Sequence, residues 1–282
     1  MKEVEKEEVT ASKNDHIYGL PYLEKDASDR NRTSPIAFTG NKFEFRMLGS
    51  SMSPSFINVV LNAAFSQTIK EAYEALKGSS NLGRAIVDYS KKILQDSSRT
   101  LFSGNCYATE WQMEAAKRGL PIIHSSIEAA AHADSQKTLD LFTAEDIFTE
   151  VELKAHKDVL IDQYIKNAAL ETKTLLNMVN HEIVPAMIAD LEASRQLYSV
   201  SSSIKKRFDK ISTVINELSD RSDLLEDKFQ HLTTNLRGYD LALALRREII
   251  PSLLMMRNLI DTYEKYCTKS IYPIPMYTDL LS

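Results

Sequence analysis

The sequence predicts an α+β fold dominated by helix, in which a short strand segment is followed by helices and then by a long antiparallel helical bundle. Glycine and proline occur only eight times each in 282 residues, which suits long helices better than a turn-rich β fold. One stretch near the start alternates apolar and polar residues with the period of a strand. The second half of the chain carries apolar residues at the spacing of packed helices.

The composition limits the functions that the chain can have. The formal net charge is −5, from 34 basic and 39 acidic residues, and no run of Lys and Arg is long enough to line a polyphosphate. Nucleic acid is therefore not an expected partner. We expect no membrane partner, because no apolar stretch has membrane length, and the charged start is unlike a signal peptide. Cys106 and Cys267 form no CxxC pair, so we expect a reduced, cytoplasmic setting.

Three parts are predicted along the chain. Residues 1–28 are mostly polar and have no sustained period, so we expect a poorly ordered leader there. Residues 29–142 combine the strand with short, irregularly joined helices. Residues 143–282 change to long amphipathic helices, which predict a three-helix bundle.

The predicted strand is KFEFRML. Its polar residues Lys42, Glu44 and Arg46 project to one side, and the Phe and Met residues between them project to the other. Arg30 and Arg32 precede it closely in the chain. One face of this strand therefore carries a carboxylate among basic groups.

Helices are predicted between the strand and the bundle. The first follows Pro54 and stops near Gly78, and the second spans about 82–96. A third, short helix is predicted to be capped by Thr109 and to end at Gly119.

Heptad spacing predicts the bundle. In the segment after SVSSS, apolar residues recur in alternating steps of four and three, with Ser222 as the one polar member. The apolar members are Ile204, Phe208, Ile211, Ile215, Leu218, Leu225, Phe229, Leu232 and Leu236. Gly238 marks a turn, after which a similar spacing resumes, and residues 150–197 supply another helix. Pro185 and Pro251, in the similar settings HEIVPAM and REIIPSL, are each predicted to kink or break a helix.

Two short motifs are rejected as sites. HEIVP begins like a zinc-protease helix, but Pro185 stands where the second His is needed, so His181 is interpreted as an exposed or capping residue. Cys106 has no base nearby in the sequence, and a packed thiol is the simpler interpretation.

The strand face has two interpretations that its residues alone leave open. Glu44 and Arg46 can be an exposed face with cross-strand ion pairs, each worth about 0 to 1 kcal/mol. Arg binds phosphate oxygens as a fork, and Glu is a hard oxygen ligand, so the same face can also hold phosphate and a divalent cation.

A family resemblance bears on this choice. NRTSPIAFTGNKFEFRMLGSS resembles the signature near the end of the catalytic domain of type III glutamine synthetases, NRTSP-(F/I)-AFTGN-(K/R)-FEFR followed by a GSS turn. NVVLN, LFSGNCYATEW, EAAKRGLP and the long C-terminal helices resemble successive blocks of the same family. The resemblance runs from about residue 26 to the end.

The resemblance implies ATP-dependent joining of ammonia to glutamate through γ-glutamyl phosphate, with Mg²⁺ or Mn²⁺, at sites between subunits of a ring assembly. Glu44 matches the metal ligand of FEFR. Arg46 matches the residue that holds the transferred phosphoryl group, and Arg32 matches one that faces the ATP phosphates. These are the catalytic, cofactor-binding and metal residues that the resemblance assigns, and residues 29–142 become the C-terminal piece of the catalytic domain.

The family carries most of its catalytic residues upstream of this signature. We therefore expect a C-terminal portion of such an enzyme that is inactive alone and does not hold ATP and the cation by itself. Its expected partners are a second copy of itself or the missing catalytic half. The alternative is a non-enzymatic helical interaction module derived from the family.

Overall fold

The computed structural model describes residues 35–38, 43–45, 53–102 and 104–281. The chain divides into two compact units. The first unit contains the described residues up to His124 together with Asp140–Phe148, and the second contains Ser125–Leu139 and the residues from Thr149 onward. The predicted leader, residues 1–28, lies outside the described residues, and the predicted domain limits stay a prediction.

The first unit begins with an antiparallel hairpin. Its strands are β1 (Ile36–Phe38) and β2 (Phe43–Phe45), and they pair in the register Ile36↔Phe45, Ala37↔Glu44 and Phe38↔Phe43. The described part of the alternating stretch, Phe43–Phe45, thus forms a strand, as predicted.

Three helices follow in the first unit: α1 (Ser55–Leu76), α2 (Leu82–Asp96) and α3 (Thr109–Lys117). Gly78 and Gly119 have φ of 78° and 68°, so each glycine supplies a left-handed residue just past a helix end. The predicted cap is displaced by one residue, because Ala108 occupies the N-cap and Thr109 is the first helical residue.

The three-helix bundle is confirmed in the second unit. After the short helices α4 (Ser126–Ala130) and α5 (Gln136–Ala144), its first helix consists of α6 (Glu150–Met178), a π-helical turn and α7 (Val184–Ser194). The second helix is α8 (Ser202–Asn235). The third consists of α9 (Gly238–Ala244), a π-helical turn and α10 (Ile250–Glu264), and the four-residue α11 (Tyr277–Leu280) follows.

Contacts between the helices show in which direction each runs relative to its neighbour. Along α8, Arg207 pairs with Asp190 and Ser222 bonds to Asn180, so the partner numbers in the first helix fall as those in α8 rise. Likewise, Arg221 contacts Met255 and Lys228 pairs with Glu248 of the third helix. Successive helices therefore run antiparallel, and the first and third run parallel.

The bundle has one main core. Its fully buried side chains come from all three helices and include Val179, Ile183, Met187, Ile211, Leu218, Leu245, Ile249, Met256 and Tyr263. Ser222, the polar member of the heptad pattern, is buried, and its hydroxyl lies 3.1 Å from Asn180 Oδ1. The apparent break in the apolar pattern is therefore a buried polar contact between two helices.

Both prolines follow a π-helical turn. Val179–Ile183 precedes Pro185, and Leu245–Ile249 precedes Pro251. Proline has no N–H, and its ring crowds the carbonyl one turn earlier. A π turn widens the helix by one residue, so the helix continues past the proline. The sequence prediction of a kink or break is thus refined to a π turn within a continuous helix.

No helix in the described parts of the chain is both long and apolar enough to cross a membrane.

Candidate functional site

Glu44 is the sequence-predicted site residue that the structure describes. It occupies the middle of β2, directly opposite Ala37 of β1, and is half-buried. Arg32 and Arg46 lie outside the described residues, so their proximity to Glu44 stays a prediction.

The family resemblance implies Mg²⁺ or Mn²⁺ near Glu44, and the side chains in the described residues can be compared with what these ions bind. Mg²⁺ and Mn²⁺ prefer hard oxygen ligands, and a carboxylate at a strand position is of that kind. Among residues 35–38, 43–45, 53–102 and 104–281, however, no three His, Cys, Asp or Glu side chains are grouped so that they could hold a metal. The described residues therefore do not make a complete cation site by themselves.

Two sequence blocks that carry the resemblance meet at Arg118. This residue belongs to EAAKRGLP, and its Nη1 donates a hydrogen bond to the backbone oxygen of Leu101, the first residue of LFSGNCYATEW, at 2.8 Å. Its guanidinium carbon lies 5.6 Å from the ring centroid of Trp111 and 6.0 Å from that of Phe102. Arg118 thus holds both ends of the block between residues 101 and 111.

The aromatic pair inside this block is tightly stacked. The rings of Phe102 and Trp111 have centroids 4.1 Å apart and planes tilted by 23°. A Cβ at Gly104 would lie 2.6 Å from Cζ of Phe102, closer than van der Waals contact allows. An alanine at position 104 would therefore have to displace the Phe102 ring.

Cys106 lies in the same block and is half-buried. Its Sγ is 4.0 Å from the backbone oxygen of Gly104, and Asn105 Oδ1 accepts a hydrogen bond from the backbone N–H of Tyr107. These contacts describe a thiol within a turn.

A cleft in the first unit contains a carboxylate that the sequence reasoning missed. Glu145 accepts hydrogen bonds from Ser66 Oγ at 2.8 Å and from Lys70 Nζ at 2.9 Å. These bonds, first that of Lys70 and then that of Ser66, hold the pKa of the Glu145 carboxyl below its ordinary value. Glu145 belongs to no recognised sequence motif, so its pairing with Ser66 and Lys70 of α1 is visible only in the fold.

The same cleft is lined by residues of NVVLN, one of the sequence blocks that resemble the family. It has a volume of about 430 Å³. Asn58 and Asn62, the first and last residues of NVVLN, line it together with Ala63, Ser66, Glu145 and Ile147. Because four residues make about one helical turn, the two asparagines lie on the same side of α1.

The stretch HEIVP, rejected as a zinc-protease motif, spans the junction between the π-helical turn and α7. His181 lies in the π-helical turn and is exposed, and Pro185 is the second residue of α7.

Comparison with known proteins adds two findings. The family model described as the glutamine synthetase C-terminal domain matches residues 85–205. The chain is 29% identical to the type-3 glutamine synthetase of Dictyostelium discoideum, in an alignment that covers 94% of this chain and 38% of that protein.

Two bacterial proteins give a similar result. A glutamine synthetase of Bacteroides fragilis is 29% identical, with 93% of this chain and 38% of that protein covered. One of Butyrivibrio fibrisolvens is 29% identical, with 91% and 38% covered. The chain thus spans 38% of the length of these relatives. The family match and the three relatives together confirm the resemblance to the C-terminal part of type III glutamine synthetases.

Proposed function

We propose that this chain is the C-terminal portion of a glutamine synthetase, an enzyme that joins ammonia to glutamate with ATP through γ-glutamyl phosphate. The observation that carries the proposal is the similarity to glutamine synthetases over more than nine-tenths of the chain. The signature containing Glu44 lies near the start of the sequence resemblance, which runs from about residue 26 to the end.

In this proposal, Glu44 is a ligand of Mg²⁺ or Mn²⁺, Arg46 holds the transferred phosphoryl group and Arg32 faces the ATP phosphates. Support comes from the strand itself, because Glu44 is central in β2 and Arg46 follows it by two positions. Such a face can neutralise the charge of a phosphoryl group with a cation and a guanidinium side by side.

In this proposal, the chain supplies only part of the active site. The remaining cation ligands and the glutamate contacts come from the catalytic half that the relatives contain, either in a longer polypeptide or in a neighbouring subunit. The 282-residue chain alone is then inactive and does not hold ATP and the cation. A homo-oligomer in a cytoplasmic setting is part of the same proposal.

One observation favours a second candidate, a helical interaction module without catalysis. The bundle has a continuous core of its own, and an ion pair between the buried Asp190 and Arg207 joins its first two helices, so its folding does not depend on an active site. A module of this kind can keep its fold after catalytic function is lost.

The two candidates are separated by complementation. The 282-residue chain is purified, and formation of γ-glutamyl hydroxamate from glutamate, hydroxylamine, ATP and Mg²⁺ is measured with the chain alone. It is then measured after mixing with the remaining part of the Dictyostelium relative. We expect no product from either part alone and product from the mixture.

Product from the chain alone would contradict the proposed inactivity. A competent control restores the relative's own C-terminal part to the same remaining part. If that control is active and the mixture with this chain is not, the interaction module becomes the better account.

A further inference from the structure

The chain after α10 folds back onto the bundle. This C-terminal strap, residues 265–281, places the half-buried Ile274 and Met276 and the buried Tyr272 against the main core. The Tyr272 ring lies 5.8 Å, centroid to centroid, from that of Tyr263 in α10. The strap therefore covers one end of the bundle.

A buried carboxylate holds the beginning of the strap. Asp190 of α7 is only 1% exposed. It accepts hydrogen bonds from the backbone N–H of Thr268 at 3.1 Å and from Thr268 Oγ1 at 2.7 Å, and the hydroxyl of Tyr263 lies at 3.3 Å. The strap is thereby attached to the first helix of the bundle, which lies 78 residues earlier in the chain.

Arg207 of α8 completes this junction. Its Nη2 donates to both oxygens of Asp190, at 2.7 and 2.6 Å, and lies 3.1 Å from Thr268 Oγ1. Its Nε donates to the backbone oxygen of Tyr266 at 2.8 Å, and its Nη1 donates to Ser194 Oγ at 3.1 Å. One ion pair therefore joins the first helix, the second helix and the strap.

The far end of the strap is held differently. The backbone N–H of Tyr277 donates to Glu264 at 2.8 Å, its hydroxyl contacts Asp261 and Arg257, and Lys269 pairs with Asp279. All these partners belong to α10 or to the strap itself. They are exposed or half-buried, so water competes with each of them.

We propose that Asp190 is a latch that holds the C-terminal strap closed over the end of the bundle. When its contacts with Thr268 are lost, residues 268–281 open locally while the three helices stay folded. The short strap has little core of its own, and such segments open at a lower free energy than the helices that they cover. Removing a donor from a buried carboxylate weakens the closed state selectively, because the open state lets water replace that donor.

Hydrogen–deuterium exchange of the full chain, resolved by peptide, tests this latch. Thr268→Val removes the hydroxyl donor and leaves the Asp190–Arg207 pair in place. We expect amide exchange in residues 268–281 to accelerate by about ten-fold or more, while peptides from α6, α8 and α10 exchange as in the wild type. Thr262→Val is the matched control, because the Thr262 hydroxyl donates within α10, to Asn258 O at 2.8 Å.

A second variant, Asp190→Asn, tests the carboxylate directly and should accelerate exchange in the same peptides. If Asp190→Asn fails to fold, the result with Thr268→Val decides. Unchanged exchange of residues 268–281 in Thr268→Val would overturn the proposal. So would an acceleration in Thr268→Val that spreads equally through all three helices, because the Thr268 contact would then contribute to the stability of the whole bundle rather than to closure of the strap.

Discussion

The guanidinium carbon of Arg118, at the C-cap of α3, lies 5.6 Å from the ring centroid of Trp111. The same side chain donates to Leu101 O at 2.8 Å and to Glu114 at 2.7 Å. A cation over an indole ring contributes roughly 0.5 to 1 kcal/mol at a partly exposed site. Arg118 therefore clamps the loop that runs from Leu101 to the start of α3.

Replacing this clamp should loosen the loop. We expect Arg118→Ala to lower the free energy of unfolding of the first unit by about 1 kcal/mol, because hydrogen bonds and a cation–π contact are lost together. Trp111 is the chain's single tryptophan, so its fluorescence reports on the loop, and its emission should shift to longer wavelength. Arg84→Ala, which removes an exposed pair with Asp88, should leave the emission unchanged. Identical spectra for both variants would contradict the clamp.

Two glycines of the first unit should respond to alanine in opposite ways. Gly104→Ala should push the Phe102 ring off Trp111, because the added Cβ meets that ring at 2.6 Å. The expected loss of stability is about 1 to 3 kcal/mol. Gly83→Ala places its Cβ in ordinary contact, 3.8 Å from Asn81 Oδ1, inside a helix, and should stabilise by about 0.5 kcal/mol. Urea unfolding followed by Trp111 fluorescence measures both, and equal effects would contradict this assignment.

Replacing Ser222 by leucine, a residue type that its heptad position favours, should lower the stability of the bundle. Ser222→Leu fits the sequence spacing but inserts bulk into a buried site occupied by a hydroxyl and Asn180. We expect it to cost about 1 to 3 kcal/mol, and Ser222→Ala to cost about 1 kcal/mol through the lost hydrogen bond. Ser219→Ala, at a half-buried position of the same helix, is the control. Thermal unfolding that shows Ser222→Leu to be more stable than the wild type would refute this reading of the core.

Asp190 should make the bundle sensitive to acid. Burial opposes its ionisation, but hydrogen bonds from Arg207 and Thr268 outweigh that effect and hold the pKa of the carboxyl below its ordinary value. A lowered pKa in the folded state stabilises above the unfolded value, about 3.9, and this contribution is lost as pH falls through the folded value. Burial, followed by the nearby charge of Asp190, raises the pKa values of Tyr263 and Cys267, so both stay neutral in acid.

The measurement compares urea unfolding of the wild type and Asp190→Asn between about pH 6 and pH 2. The wild type should lose its advantage over the variant as the pH falls. The variant Asp162→Asn, in which an exposed pair with Lys166 is removed, should follow the wild type. A stability difference between the wild type and Asp190→Asn that does not change with pH would contradict the assigned ionisation.

The helical bundle could be predicted from the sequence because heptad spacing reports directly on which residues are buried. Leu218, Leu225, Phe229 and Leu232 are buried as that spacing requires. The π-helical turns could not be predicted in the same way. Pro185 and Pro251 indicate that a regular α-helix is disturbed, but whether the helix ends or widens depends on what the following residues pack against.

The polar contacts were less accessible to sequence reasoning. Asp190 and Glu145 have partners 78 and 75 residues away, and a single sequence carries no periodic signal for such pairs. Glu44 could be placed because strand alternation and a long signature coincide there. Its expected companions, Arg32 and Arg46, lie outside the described residues, so the geometry of that site stays a prediction.

The most direct test of the central claim measures γ-glutamyl hydroxamate formation by the complemented mixture over a range of Mg²⁺ concentrations, with wild-type chain and with Glu44→Gln. We predict a loss of about 100-fold or more for Glu44→Gln, because a cation ligand would be removed. Glu71→Gln, at an exposed position of α1, should retain wild-type activity. Wild-type activity and an unchanged Mg²⁺ requirement in Glu44→Gln would contradict the role assigned to Glu44.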